Sequence, residues 1–214
     1  MQRRISTLVL LLTAAALSAG ATVFTFNPAQ AAFTPGPGMS FSGAGFSTLD
    51  FTLSQATLTS FSLSSPGEQT GLIYLGSLQL NESSISTGET DGLGLTIGIG
   101  INPPAISPPF SIAASSFTAS TSTDSVSLAF PTAGQQVSFG DNGLLSAVIL
   151  VGSNRNGTGA GSSTSGWDND EYRYFFARFT LDQVEQQGPE IPEPATFILL
   201  GTALTGIGLL RRRR

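Results

Sequence analysis

Through the middle of the chain, apolar and polar residues alternate with a period of two, the spacing of a strand with one buried face. From Leu93 to Ile101 every odd position is Leu or Ile and every even one is Gly or Thr. Segment 47–53 sets Leu49, Phe51 and Leu53 on one side and Thr48, Asp50 and Thr52 on the other. Residues 125–130 repeat the pattern through Val126, Leu128 and Phe130. Between 171 and 183, Phe175, Ala177, Phe179 and Leu181 share a face, with Tyr172, Tyr174 and Arg178 opposite. Leu144 to Val151 reads as an apolar run interrupted only by Ser146, which predicts a strand covered on both faces. No helical period is found between residues 40 and 187. Strands separated by Gly, Pro and Ser clusters predict an all-β fold, a single β-sandwich or jelly-roll-like domain.

The segments between the strands are of low complexity. Residues 101–110 hold two proline pairs and read as an extended crossover or long loop. Residues 153–166 (SNRNGTGAGSSTSG) read as a flexible loop by composition. The glycines at 157, 159 and 161 lack the spacing, the helix and the acidic partner of a nucleotide-binding loop. Asn81-Glu82-Ser83 and Asn156-Gly157-Thr158 match the N-glycosylation pattern, a short motif that carries little weight by itself.

The two ends differ from the body. At the N-terminus, Arg3 and Arg4 precede an apolar stretch from Leu8 to Leu17, the arrangement of a secretory signal helix handled by the general secretion machinery. The small residues Ala29 and Ala31 flank Gln30 and predict a cut before Ala32, so that residues 1–31 form the signal peptide. At the C-terminus, 17 uncharged residues from Pro194 to Leu210 lie between a Pro-Glu-Pro triplet and four arginines, Arg211, Arg212, Arg213 and Arg214. As a helix they cover roughly 25 Å, at the short end of what spans a bilayer core. The arginine run acts as a stop-transfer signal held on the cytoplasmic side, which leaves the body outside. Three parts follow: a signal peptide over 1–31, a β-domain over 32–187, and a linker with an anchor over 188–214.

Ile191 to Arg214 (IPEPATFILLGTALTGIGLLRRRR) closely resembles the PEP-CTERM sorting domain of exported bacterial proteins. The parts come in the same order: Pro-Glu-Pro, an apolar helix and a short arginine-rich end. The resemblance implies recognition by exosortase, a membrane-embedded protease or transpeptidase, with Pro192, Glu193 and Pro194 as the sorting and processing motif. It also implies association with extracellular polysaccharide and biofilm. The triplet has its own physical logic, since two prolines hold the backbone extended and unpaired, as a protease requires.

Composition narrows the chemistry. The chain has no Cys and no His, and nine Arg make up its whole basic total, so Lys is absent as well. Ser-His-Asp and Cys-His arrangements, a Ser-Lys dyad, a Schiff base and a P-loop lysine are therefore impossible. Zinc has no ligands beyond carboxylates. A glycosidase-like acid pair or a calcium site is what survives. Residues 32–192 carry thirteen acidic groups against three arginines, Arg155, Arg173 and Arg178, a net charge of −10. Such a body offers no basic patch for nucleic acid or for an anionic membrane surface.

The densest acidic cluster surrounds the sole tryptophan: Trp167, Asp168, Asp170 and Glu171. Three roles compete for it: a Ca2+ site, an aromatic platform for a sugar, and a tryptophan that closes the core while the acids face water. The calcium-loop spacing is absent. Glu68, Glu82, Glu89 and Asp91 fall in loop-like sequence, and nothing local pairs them for catalysis. The expectation is a non-catalytic exported surface or extracellular-matrix protein with no cofactor. The alternative is a secreted carbohydrate-binding or carbohydrate-active β-domain.

Overall fold

The longest alternating run of the sequence becomes the spine of the fold. The computed structural model describes residues 20–41 and 48–185. Its first strands are β1 (Thr22–Phe24), β2 (Ala32–Pro35), β3 (Met39–Ser40), β4 (Leu49–Gln55) and β5 (Phe61–Leu63). Then come β6 (Ile73–Leu80), β7 (Leu95–Ile99), β8 (Ile106–Ser107), β9 (Phe110–Ala113) and β10 (Ser116–Ser120). The last are β11 (Ser125–Ala129), β12 (Gln135–Phe139), β13 (Gly143–Gly152), β14 (Ser163–Trp167) and β15 (Tyr172–Gln183). One short 3-10 turn, Thr87–Glu89, is the sole helical element among the described residues. The signal helix and the anchor helix expected at the two ends fall on residues 1–19 and 186–214, outside the described residues.

Seven strands form one sheet in the order β3-β4-β6-β15-β13-β12-β8, curled into a half-barrel. At its centre β15 pairs antiparallel with β13 over most of its length and with β6 on its other edge. The inner face of β15 carries Phe175, Ala177, Phe179 and Leu181, all fully buried, as the alternation predicts. The β13 run departs from the expected two-sided cover. Its odd positions are buried, whereas Leu144, Ser146, Val148 and Leu150 on the outer face are only half-buried.

Sheet packs on sheet, as in a sandwich, but the second layer is in three pieces. They are β2-β7-β9, β10-β11-β14 and the pair β1-β5. Each reaches the large sheet through aromatic rings. Phe33 of β2 meets Phe175 edge-on, and Phe110 of β9 meets Phe179. Phe51 of β4 packs against both Phe117 of β10 and Trp167 of β14. Phe24 of β1 meets Phe139 of β12. Full burial of each such ring contributes about 1.5–3 kcal/mol. The continuous second sheet of a jelly roll does not form: β7 and β9 pair directly across the proline-rich stretch, and the layer breaks between β9 and β10 and between β2 and the β1-β5 pair.

The segment before Ala32 is part of this core. Phe24 is 0% exposed and stacks on Phe61 at 5.0 Å, and Phe26 packs on Phe61 and Phe179. The backbone is tied in as well: Thr25 N–H donates to the Pro103 carbonyl, Asn27 N–H to that of Gly100, and Leu58 N–H to that of Ala29. Ala31 is fully buried, and its carbonyl accepts from Gln55 Nε2 at 2.8 Å. Gly100 has a reason here, since a Cβ at that position would overlap the Asn27 carbonyl. Among the described residues the first strand begins at Thr22, ten residues before the boundary that the small-residue pattern suggests.

Candidate functional site

The Trp167 cluster resolves into a structural turn that joins β14 to β15, strands of two different sheets. Trp167 is 0% exposed, and its Nε1–H donates to the Glu171 carbonyl at 2.8 Å. A buried ring offers no face to a sugar, so Trp167 is corrected from candidate contact to core residue. Its acids serve the β14–β15 turn. One Glu171 carboxylate oxygen accepts from Asp168 N–H at 3.2 Å and pairs with Arg173 at 3.0 Å. Asp170 sits at φ 59° in the turn, and its carboxylate accepts from Asn169 Nδ2. Among the described residues no three acidic side chains converge as metal ligands. Arg173 lies almost wholly buried over the Trp167 ring, donating to Thr164 Oγ1 and to the carbonyls of Gly166 and Tyr172.

The loop carboxylates are also occupied by structure. Glu68 accepts from Ser64 N–H at 2.6 Å, the largest of the contacts that hold its carboxyl below the usual range. Glu89 is buried and accepts from Ser86 N–H at 2.6 Å, closing the 3-10 turn. Burial pushes the Glu82 carboxyl above its usual range. The Asp50 N–H donated to it at 3.3 Å opposes that shift, and the charges of Glu89 and Asp50 add to it.

This shift has a definite consequence for stability. The folded state holds the Glu82 proton more tightly than the unfolded state. The associated stability is present below the unfolded value of 4.5 and is lost as pH rises through the higher folded value. A Glu82→Gln variant is therefore expected to be slightly more stable than wild type near pH ~7. The difference should vanish below pH 4.5, where the Glu82 carboxyl is protonated in the folded and the unfolded state alike, as urea melts above and below that value would show.

An open groove on the large sheet gathers a different set of residues. All three tyrosines of the chain, Tyr74, Tyr172 and Tyr174, lie on the outer face of the half-barrel. Register places them there: Tyr172 stands opposite Gln79, Tyr174 opposite Ser77, and Phe176 opposite Tyr74. A bulge in β6 leaves Leu75 without a partner and makes this last pairing possible. Gly76 completes the bulge at φ 155°, where a Cβ would press on the Ser54 carbonyl at 2.6 Å. The rings of Tyr172 and Tyr174 are 6.1 Å apart and 25° from parallel, and Tyr74 lies 6.3 Å from Tyr174. Beside them Thr52, Ser54, Gln55, Thr57, Thr59 and Ser77 line a groove of 660 Å³.

Arg155 closes one side of the groove, with its guanidinium 5.2 Å from the Tyr74 ring centre. It rides on the segment expected to be flexible. That segment is instead a hydrogen-bonded turn followed by β14: Thr158 N–H donates to the side chains of Asn154 and Asn156, and Asn154 Nδ2 to the Thr158 carbonyl. Gly157 sits against Leu72 and Phe176. Short polar side chains supply the turn bonds that the composition hides. No acidic residue lines the groove, and Arg155 makes no ion pair among the described residues.

Of the remaining candidates, Ala29 and Ala31 lie within the fold as given above. Pro192, Glu193, Pro194 and Arg211 to Arg214 lie outside the described residues, as does the apolar run between them. Among the described residues no helix is long and apolar enough to cross a membrane. A family model of the PEP-CTERM protein-sorting motif matches residues 190–214. No curated protein and no solved structure matches the chain. The motif supports an exported protein sorted by exosortase, a membrane protein.

Proposed function

We propose that this chain is a non-catalytic bacterial surface or extracellular-matrix protein, exported as a membrane-anchored precursor and processed at both ends. The observation that carries the reading is the tail: the sorting-motif match at 190–214 combines Pro-Glu-Pro, an apolar run and four terminal arginines. The absence of Cys, His and Lys, and the structural roles of Glu68, Glu89 and Glu171, support a body without catalysis. Association with exopolysaccharide is part of the proposal, and its support is the resemblance of the tail to that of the sorting family.

The core position of residues 22–31 moves the proposed N-terminal cut upstream. Ala19-Gly20-Ala21 supplies the same small-x-small pattern directly after the apolar stretch that ends at Leu17. Gly20 and Ala21 are exposed and lie outside any strand, and β1 begins at the next residue. A cut before Thr22 spares the whole core, whereas one before Ala32 removes Phe24 and Phe26 from it.

Intact-mass analysis of the protein recovered from the producing cell tests both ends. The expected mass corresponds to a chain beginning at Thr22 and lacking the apolar run after Pro-Glu-Pro. A full-length chain found in the cytoplasmic fraction would refute export. A mature chain beginning at Ala32 would refute the upstream cut alone.

A further inference from the structure

The outer-face groove has the chemistry of a ligand site that the sorting tail does not account for. We propose that it binds a polysaccharide containing uronic acid. Pyranose rings would lie on the Tyr172–Tyr174–Tyr74 strip, with a sugar carboxylate on Arg155. The reading rests on the groove alone and stands or falls separately from the export of the chain.

Three observations carry it. First, every tyrosine of the chain is in one place, and two form a near-parallel strip along β15 with Tyr172 42% exposed. A pyranose ring presents an apolar C–H face and a rim of hydroxyls, and aromatic rings of amphipathic residues match the first. Second, the walls supply short hydroxyl and amide side chains, Thr52, Ser54, Gln55, Thr57 and Ser77, which match the rim.

Third, the charge is of the wrong sign for the rest of the molecule. The body carries thirteen acidic groups, yet none lines the groove, and one of its three arginines stands there without an ion pair among the described residues. A guanidinium held over an aromatic ring is set for bidentate contact with a carboxylate. The −10 charge of the body repels a polyanion at long range, but at physiological salt that field decays within about 8 Å, so local complementarity decides.

The test is affinity electrophoresis of the full chain in a polyoxyethylene detergent, in native gels cast with polygalacturonate, alginate or neutral dextran. Retardation by the two uronate polymers and not by dextran is expected. Tyr174→Ala and Arg155→Gln should each weaken the retardation about tenfold, with thermal midpoints confirming that the variants are folded. Arg155→Gln keeps the proposal testable if the tyrosine variant unfolds. Free migration in both uronate gels overturns the proposal, as does equal retardation by dextran or unchanged retardation of Arg155→Gln. A dimer that Tyr174→Ala converts to monomer in sedimentation would give the groove to a second copy of the chain and overturn it as well.

Discussion

A body that starts at Ala32 is expected not to fold, whereas one that starts at Thr22 folds fully. Removing residues 22–31 strips β1 from β5 and takes Phe24 and Phe26 out of a cluster that includes Phe61, Phe139 and Phe179. Truncating one buried Phe to Ala costs about 3–5 kcal/mol. Two such losses alone approach the 5–15 kcal/mol that typically separates folded from unfolded domains. The deletion also frees the carbonyls of Gly100 and Pro103, which Asn27 and Thr25 satisfy, and leaves Leu58 N–H without an acceptor. Thermal denaturation of the two chains, both ending at residue 187, makes the comparison. Equal midpoints would show that the N-terminal segment is dispensable and would restore Ala31 as a workable cleavage position.

The same segment shows why sequence periodicity reads some of this fold and not the rest. β4, β7, β11 and β15 have one wet and one buried face, so their alternation is visible and the buried residues follow from it. β1 is hidden for a different reason. It is three residues long, and the small residues after it match the pattern of a peptidase site. Only the partner strand distinguishes a core alanine from a processed one. β6 is hidden by its bulge, which buries four successive residues from Leu75 to Leu78 and erases the period. β14 is hidden by composition. It is mostly exposed Ser, Thr and Gly, and the single side chain that anchors it is Trp167.

The groove was half legible on the same grounds. Tyr172 and Tyr174 fall on the outer face of β15 from alternation alone. Tyr74 comes from a strand about a hundred residues earlier and Arg155 from a turn between two others, so only β6–β15 pairing brings them together. The tryptophan stayed open between roles because an aromatic beside acids has one signature in sequence and two outcomes in space. Its ring faces Phe51 in the core, and the exposed aromatic chemistry belongs to the tyrosines one strand further on.

Arg173 and Arg155 are both arginines near an aromatic ring, yet their replacement should have opposite consequences. Arg173→Met is expected to destabilise the fold by about 3 kcal/mol, because hydrogen bonds from a charged donor contribute about 1.5–3 kcal/mol each and the carbonyls of Gly166 and Tyr172 would lose theirs. The Glu171 partner is 47% exposed, so its freed charge returns to water and adds little. Arg173→Lys keeps the charge but not the fork that reaches Thr164, Gly166 and Glu171 together, and should fall between the two. Loss of the guanidinium also uncovers the Trp167 ring, so the tryptophan emission should shift to the red before global unfolding. Arg155→Met touches no backbone carbonyl and should stay within about 0.5 kcal/mol of wild type. Urea melts followed by tryptophan emission separate the two. If Arg155→Met proved as costly as Arg173→Met, the groove arginine would be holding the fold together, and its lack of an ion pair would no longer point to a ligand.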